Sequence, residues 1–96
     1  MNIQAIMKNA KKIQEEIEQT KKEIDNMTFV GKSALVEATI TGDKKIKTIK
    51  ISKDFEKDDL EVLEDMIVVA INDALKEVDE KTEEKMGKYA NMLPGF

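Results

Sequence analysis

The stretch LEDMIVVAINDAL, Leu63–Leu75, sets an acidic pair before six uninterrupted apolar residues, then Asn72 and Asp73, then two more apolar positions. At 100° per residue, Leu60, Leu63, Ile67, Ala70, Ile71, Ala74 and Val78 make one broad stripe, wide enough to pack on a sheet. Val62, Met66 and Val69 fall on the opposite side at i, i+4 and i+7, with Val68 flanking the gap. A helix that is apolar nearly all round is covered on more than one side. The economical second cover is another copy of the chain in a closed two-fold dimer. Asn72 lies at the flank, where an amide bonds across a helical seam and fixes register. Neighbouring helical side chains point about 100° apart, so Asn72 and Asp73 do not converge on one metal or substrate. Asp73 is expected to end the second patch and face water. The candidate dimer-interface residues are Val62, Met66, Val69 and Asn72.

The helix containing this stretch is expected over about residues 58–89. Asp58 with Glu61 has capping-box spacing, and acids crowd the first turns as the helix dipole favours. The apolar seam fades after Val78 into DEKTEEKMGKY, and the tail at 90–96, with the only Pro, reads as irregular.

Upstream, the period is two. Thr28-Phe29-Val30 is a candidate strand and Gly31-Lys32-Ser33 a turn. In SALVEATIT, Val36, Ala38 and Ile40 share one face while Glu37 and Thr39 take the other. TGDKK supplies a tight reversal, and KIKTIKIS alternates again with Ile49 and Ile51 together. Strands over about 28–52 therefore form an antiparallel meander with one dry face. The N-terminal segment has a seam at Ile3, Ile6, Ala10, Ile13, Ile17, Thr20, Ile24 and Met27, in alternating steps of three and four, with Thr20 its single polar entry. That is a helix over about 3–27 with one narrow seam, about 37 Å long. The fold class is α+β, in one domain over 1–96: a small antiparallel sheet flanked by two long helices.

Composition removes much chemistry. Cys and His are absent, so disulfides, thiol nucleophiles, thiolate zinc sites and imidazole bases are unavailable. No P-loop or dinucleotide turn occurs, and no carboxylate pair stands in an apolar setting. The expected catalytic, metal and cofactor sites are none, and no small-molecule substrate is expected. No apolar run approaches the roughly 20 residues of a membrane span, and the N-terminus lacks signal-peptide features, so a cytoplasmic protein is expected. Net charge is −4, unevenly distributed: residues 1–53 carry eleven Lys against seven acids, residues 54–96 five against thirteen. Every basic residue is Lys. A chain that is acidic overall can thus carry a local anion-binding surface.

LEDMIVVAINDAL resembles the LED-(apolar)-A-x-N-x-A signature in the last helix of the YbaB/EbfC nucleoid-associated proteins. The first helix rich in Gln, Lys and Met, the hairpin in SALVEATITGDKKIKTIKIS and the terminal LPGF fit the family in order. The resemblance implies an α-β-β-β-α subunit in an intertwined, tweezer-like homodimer. It further implies binding to double-stranded DNA with little sequence preference, and a role in nucleoid organisation or gene regulation. Contact with DNA is attributed there to the two long helices. Two departures stand out: Gly31 alone remains of the family's glycine-rich bend, and Arg is missing. Lysines still attract phosphate, but bidentate reading of guanine is lost.

The candidate DNA-binding residues are Lys8, Lys11 and Lys12 on the first helix and Lys81, Lys85 and Lys88 on the last. No acid occurs in residues 1–14, whereas Glu77, Glu80, Glu83 and Glu84 crowd the second set. Lys44, Lys45, Lys47, Lys50 and Lys53 on the hairpin are a rival anion surface, although edge lysines also deter strand aggregation. A different class of function, a prefoldin-like protein-binding scaffold, shares the order helix, hairpin, helix. Its arms would repeat heptads to their ends.

Overall fold

The computed structural model describes residues 2–90. Helix α1 (Ile3–Asp25) leads into strands β1 (Thr28–Lys32), β2 (Val36–Thr41) and β3 (Ile46–Ile51), then helix α2 (Leu60–Met86). The sheet is antiparallel in the order β1-β2-β3, with Phe29 opposite Ile40, Gly31 opposite Ala38 and Ala38 opposite Ile49. The expected α-β-β-β-α order is therefore present. The terminal LPGF lies outside the described residues.

The dry face carries Phe29, Val36, Ala38 and Ile40, all buried, as the alternation requires. Across it lies α2, through Ala70, Ala74 and Val78. The approach is so close that a Cβ added at Gly31 would stand 2.0 Å from the Ala70 carbonyl oxygen. Gly31 was expected in a turn. It instead sits inside β1, and the reversal falls one step later, with Ser33 N–H donating to Val36 O at 2.9 Å. Two side-chain bonds pin the crossing: Lys32 N–H donates to Asp73 Oδ2 at 3.0 Å, and Ser33 Oγ to Met66 O at 2.8 Å. Asp73 thus serves the β1 backbone, although it was expected only to face water.

Because α2 covers β1 and β2, β3 is left at a bare edge. Ile49 and Ile51 do share the dry face, yet Ile51 is 45% exposed and Ile46 54%. Leu60 was expected on the sheet stripe, but it is 60% exposed, because it precedes the point where α2 meets the strands. The α2 start also differs from expectation. A 3-10 turn at Lys57–Asp59 precedes Leu60, and no side chain caps the helix, so Asp58 and Glu61 form no capping box.

Helix α1 ends at Asp25 rather than 27. Met27 N–H turns back to Ile24 O at 3.0 Å, and Gly42 N–H then bonds Met27 O at 3.0 Å. Its seam packs on the far end of α2: Ile17 and Ile24 cluster with Met86 and Tyr89, and Ile13 packs on them. The α2 seam therefore continues past Val78 through Met86 and Tyr89, contrary to the fading read from the sequence. The molecule is a rod of 71 × 19 × 15 Å. Its radius of gyration is 19.2 Å, against about 12–13 Å for a compact domain of this length.

The β2–β3 turn closes with Lys44 N–H on Thr41 O at 2.9 Å and Thr41 N–H on Lys45 O at 2.9 Å. Lys44 takes φ 65°, a left-handed conformation that favours glycine. Two substitutions read these backbone constraints in opposite senses. Gly31→Ala is expected to lower unfolding free energy by about 3 kcal/mol or more, since backbone must move. Lys44→Gly is expected to raise it by about 0.5 kcal/mol, the relieved strain exceeding the added chain entropy. Urea titration of each variant checks both signs.

Candidate nucleic-acid interface

The N-terminal arm is built on a good cap. Asn2 Oδ1 accepts from Gln4 N at 3.0 Å and Ala5 N at 3.4 Å, satisfying two of the free N–H groups that open α1. Lys8, Lys11 and Lys12 are exposed, and none has an acidic partner within 4.0 Å among the described residues. They border one shallow depression together with Asn9 and Glu15. Helical spacing of three and four holds them as neighbours.

The C-terminal set divides. Lys81 Nζ stands 3.0 Å from Glu84 Oε2. The same contact, chiefly a hydrogen bond from Lys81, holds the Glu84 carboxyl below its ordinary range, with Lys85 adding to it. The charge of Lys81 is therefore answered within α2, whereas Lys85 has no acidic partner within 4.0 Å among the described residues. Lys88 behaves differently. The 3-10 turn Gly87–Tyr89 places its Nζ 5.1 Å from the centre of the Tyr89 ring, which is itself buried on α1. That anchor brings Lys88 to the groove that Lys12 borders, alongside Glu15, Glu16, Gln19 and Thr20. Two of the expected lysines from opposite ends of the chain thus border one groove, while Lys81 and Lys85 do not line it. Tyr89 was missed as their link. Its spacing from Val78 and Met86, at eleven and three residues, was the available signal.

On the hairpin, Lys44 Nζ lies 3.4 Å from Asp79 Oδ1 and Lys45 Nζ 3.7 Å from Asp43 Oδ2. Thr41 Oγ1 also donates to Asp43, which with the Lys45 charge holds that carboxyl below its ordinary value. Lys47, Lys50 and Lys53 have no acidic partner within 4.0 Å among the described residues, although Glu37 faces Lys50 across the strands.

Of the candidate interface residues, Val62 and Val69 are 47% and 54% exposed, and Asn72 is exposed beside them. Met66 departs from expectation. It is half-buried and packs against the cluster of Val36, Ala38 and Ala70, because α2 rests on the sheet by that flank. Val68 at 56% joins Leu60, Ile46 and Ile51 as bare apolar surface that the sequence reading did not assign to the interface.

The chain matches the YbaB/EbfC DNA-binding family over residues 1–93. Nucleoid-associated proteins of Streptococcus pneumoniae, among them those of strains Hungary19A-6, CGSP14 and TIGR4, are 48% identical to it, with 98% of each chain covered. The chain belongs to the YbaB/EbfC DNA-binding family. No helix among the described residues is long and apolar enough to cross a membrane.

The division within the C-terminal set has a direct readout. Glu84→Gln removes the partner of Lys81 and leaves the fold's core untouched, since the pair is exposed. Such pairs contribute at most about 1 kcal/mol. Thermal melting is expected to change by only a degree or two, while affinity for a polyanion such as heparin rises as Lys81 is released.

Proposed function

We propose that the protein is a nucleoid-associated DNA-binding protein that grips double-stranded DNA as a homodimer, through lysine–phosphate contacts with little sequence preference. The observation that carries this reading is the arm at Lys8, Lys11 and Lys12, three exposed and unanswered cations on a helix with no acid before Glu15. Membership of a DNA-binding family supports phosphate as their partner. Lys88 extends the same surface from the turn that follows α2, and Lys81 contributes less because Glu84 holds it.

Lysine offers a compact charge and no planar fork, so it binds phosphate without distinguishing base edges. Binding energy then comes mainly from releasing condensed counterions. Pairing of two subunits is supported by the bare apolar surface on both flanks of α2 and along β3: Val62 and Val69 on one side, Leu60, Val68, Ile46 and Ile51 on the other. Covering it with a second copy sets two arms on one molecule. The nucleoid is the expected location, as the names of the relatives state for them.

Three or four contacts per subunit give a slope of log affinity against log salt of about −5 to −7 for the dimer. Lys8→Ala/Lys11→Ala/Lys12→Ala is expected to bring that slope to about −2 or shallower on unrelated duplexes alike, with circular dichroism unchanged. A variant that keeps the full slope rejects this assignment of the interface.

A further inference from the structure

The first third of α1 carries an apolar stripe that no other described residue covers. Ile3, Ile6 and Met7 are 70%, 50% and 66% exposed. Single exposed apolar residues are ordinary, but these three share one face with Ala10, Ile13 and Ile17. Met86 and Tyr89 cover that face at Ile13 and Ile17. The described seam of α2 and its closing turn end at Tyr89, so among the described residues the α1 stripe extends past the surface that covers Ile13 and Ile17.

We propose that this stripe is where arms of neighbouring molecules pack on one another when both sit on the same duplex, which makes DNA binding cooperative. This rests on the DNA-binding reading above. A second copy of the arm fits for three reasons. First, the steps of three and four along Ile3, Ile6, Ala10 and Ile13 are the repeat by which one helix pairs with another, and two such stripes related by a two-fold axis complement themselves. Second, the lysines leave room for the pairing. At 100° per residue, Lys8, Lys11 and Lys12 centre roughly 140° round the helix from the stripe. Arms packed stripe to stripe therefore turn Lys8 and Lys12 outward, toward phosphate, with Lys11 at the flank of the contact.

Third, the contact has the size of one that DNA must assist. Three side chains per arm fall well short of the roughly 800 Å² per partner of a stable interface. Two arms approaching in free solution also bring like charges together, with no acid in residues 1–14 to offset them. On a duplex, phosphates neutralise that charge, and neighbours meet at a far higher effective concentration.

The test uses Ile3→Gln/Ile6→Gln/Met7→Gln, which keeps good helix formers at all three positions. Both proteins are titrated onto a duplex long enough for one molecule and onto one long enough for many. Melting curves and binding to phosphatidylglycerol vesicles are recorded alongside. The expected result is equal affinity and equal salt slope on the short duplex. On the long one, the wild type gains roughly tenfold in affinity per molecule and the variant gains nothing. Equal cooperativity in the two proteins overturns the inference. If the variant melts earlier with cooperativity intact, the stripe is covered within its own chain. If it loses only vesicle binding, the stripe is a membrane face. Failure of both proteins to bind the short duplex overturns the DNA-binding reading as well as this inference.

Discussion

Helix α2 passes over β1 with no space for a side chain between the two backbones. Ala70 and Ala74 on the helix, with Gly31 and Ala38 on the strands, permit that approach and fix where α2 lies. Asp73 and Ser33 then lock the crossing by bonding the opposite backbone. Since the contact is centred on β1 and β2, β3 is left without a lid. The α2 flanks overhang the sheet with Val62 and Val69 on one side and Leu60 and Val68 on the other. The apolar surplus noticed in LEDMIVVAINDAL is a direct result: small residues serve the intramolecular contact, and larger ones are left facing out.

The other end of the rod follows different chemistry. Helix α1 leans on α2 through Ile17, Ile24, Met86 and Tyr89 and meets the sheet where Gly42 abuts the Ile24 carbonyl. Its first third stands beyond that support. An arm so placed exposes charge without burying it, which suits lysine, whose contribution to phosphate binding needs no fixed geometry. Acids concentrate instead in residues 54–96, where they answer Lys76 and Lys81 along α2. Of the eleven lysines in residues 1–53, only Lys8, Lys11 and Lys12 stand on the outer arm, while Lys32, Lys44, Lys45, Lys47, Lys50 and Lys53 lie on or beside the strands.

Much of this was legible from periodicity. Alternation at Val36, Ala38 and Ile40 named the dry face, the steps from Ile3 to Ile24 gave the seam, and Ala70, Ala74 and Val78 gave the helix face that meets the sheet. Other features carry ambiguous signals. Glycine marks a turn or a close approach with the same letter, so Gly31 read as a turn although it serves a helix crossing. Asp58 and Glu61 have capping spacing, but the preceding 3-10 turn takes their place. Met66 lies at the boundary of two faces on a helical wheel, and only the tilt of α2 on the sheet brings it against the cluster of Val36, Ala38 and Ala70. Among the lysines, sequence gave the N-terminal set and its freedom from acids. It could not give the Tyr89 anchor that carries Lys88 to Lys12, because that is a contact between distant segments.

Among the described residues one chain leaves Val62, Val68, Val69, Leu60, Ile46 and Ile51 bare, and the proposed dimer shares that surface between two copies. Sedimentation equilibrium at ordinary ionic strength, taken down to nanomolar concentration with fluorescence detection, measures this directly. The mass is expected to stay at twice the 10.9 kDa of the chain while the protein remains folded, with any dissociation accompanied by unfolding. A folded species of 10.9 kDa at those concentrations would contradict the account.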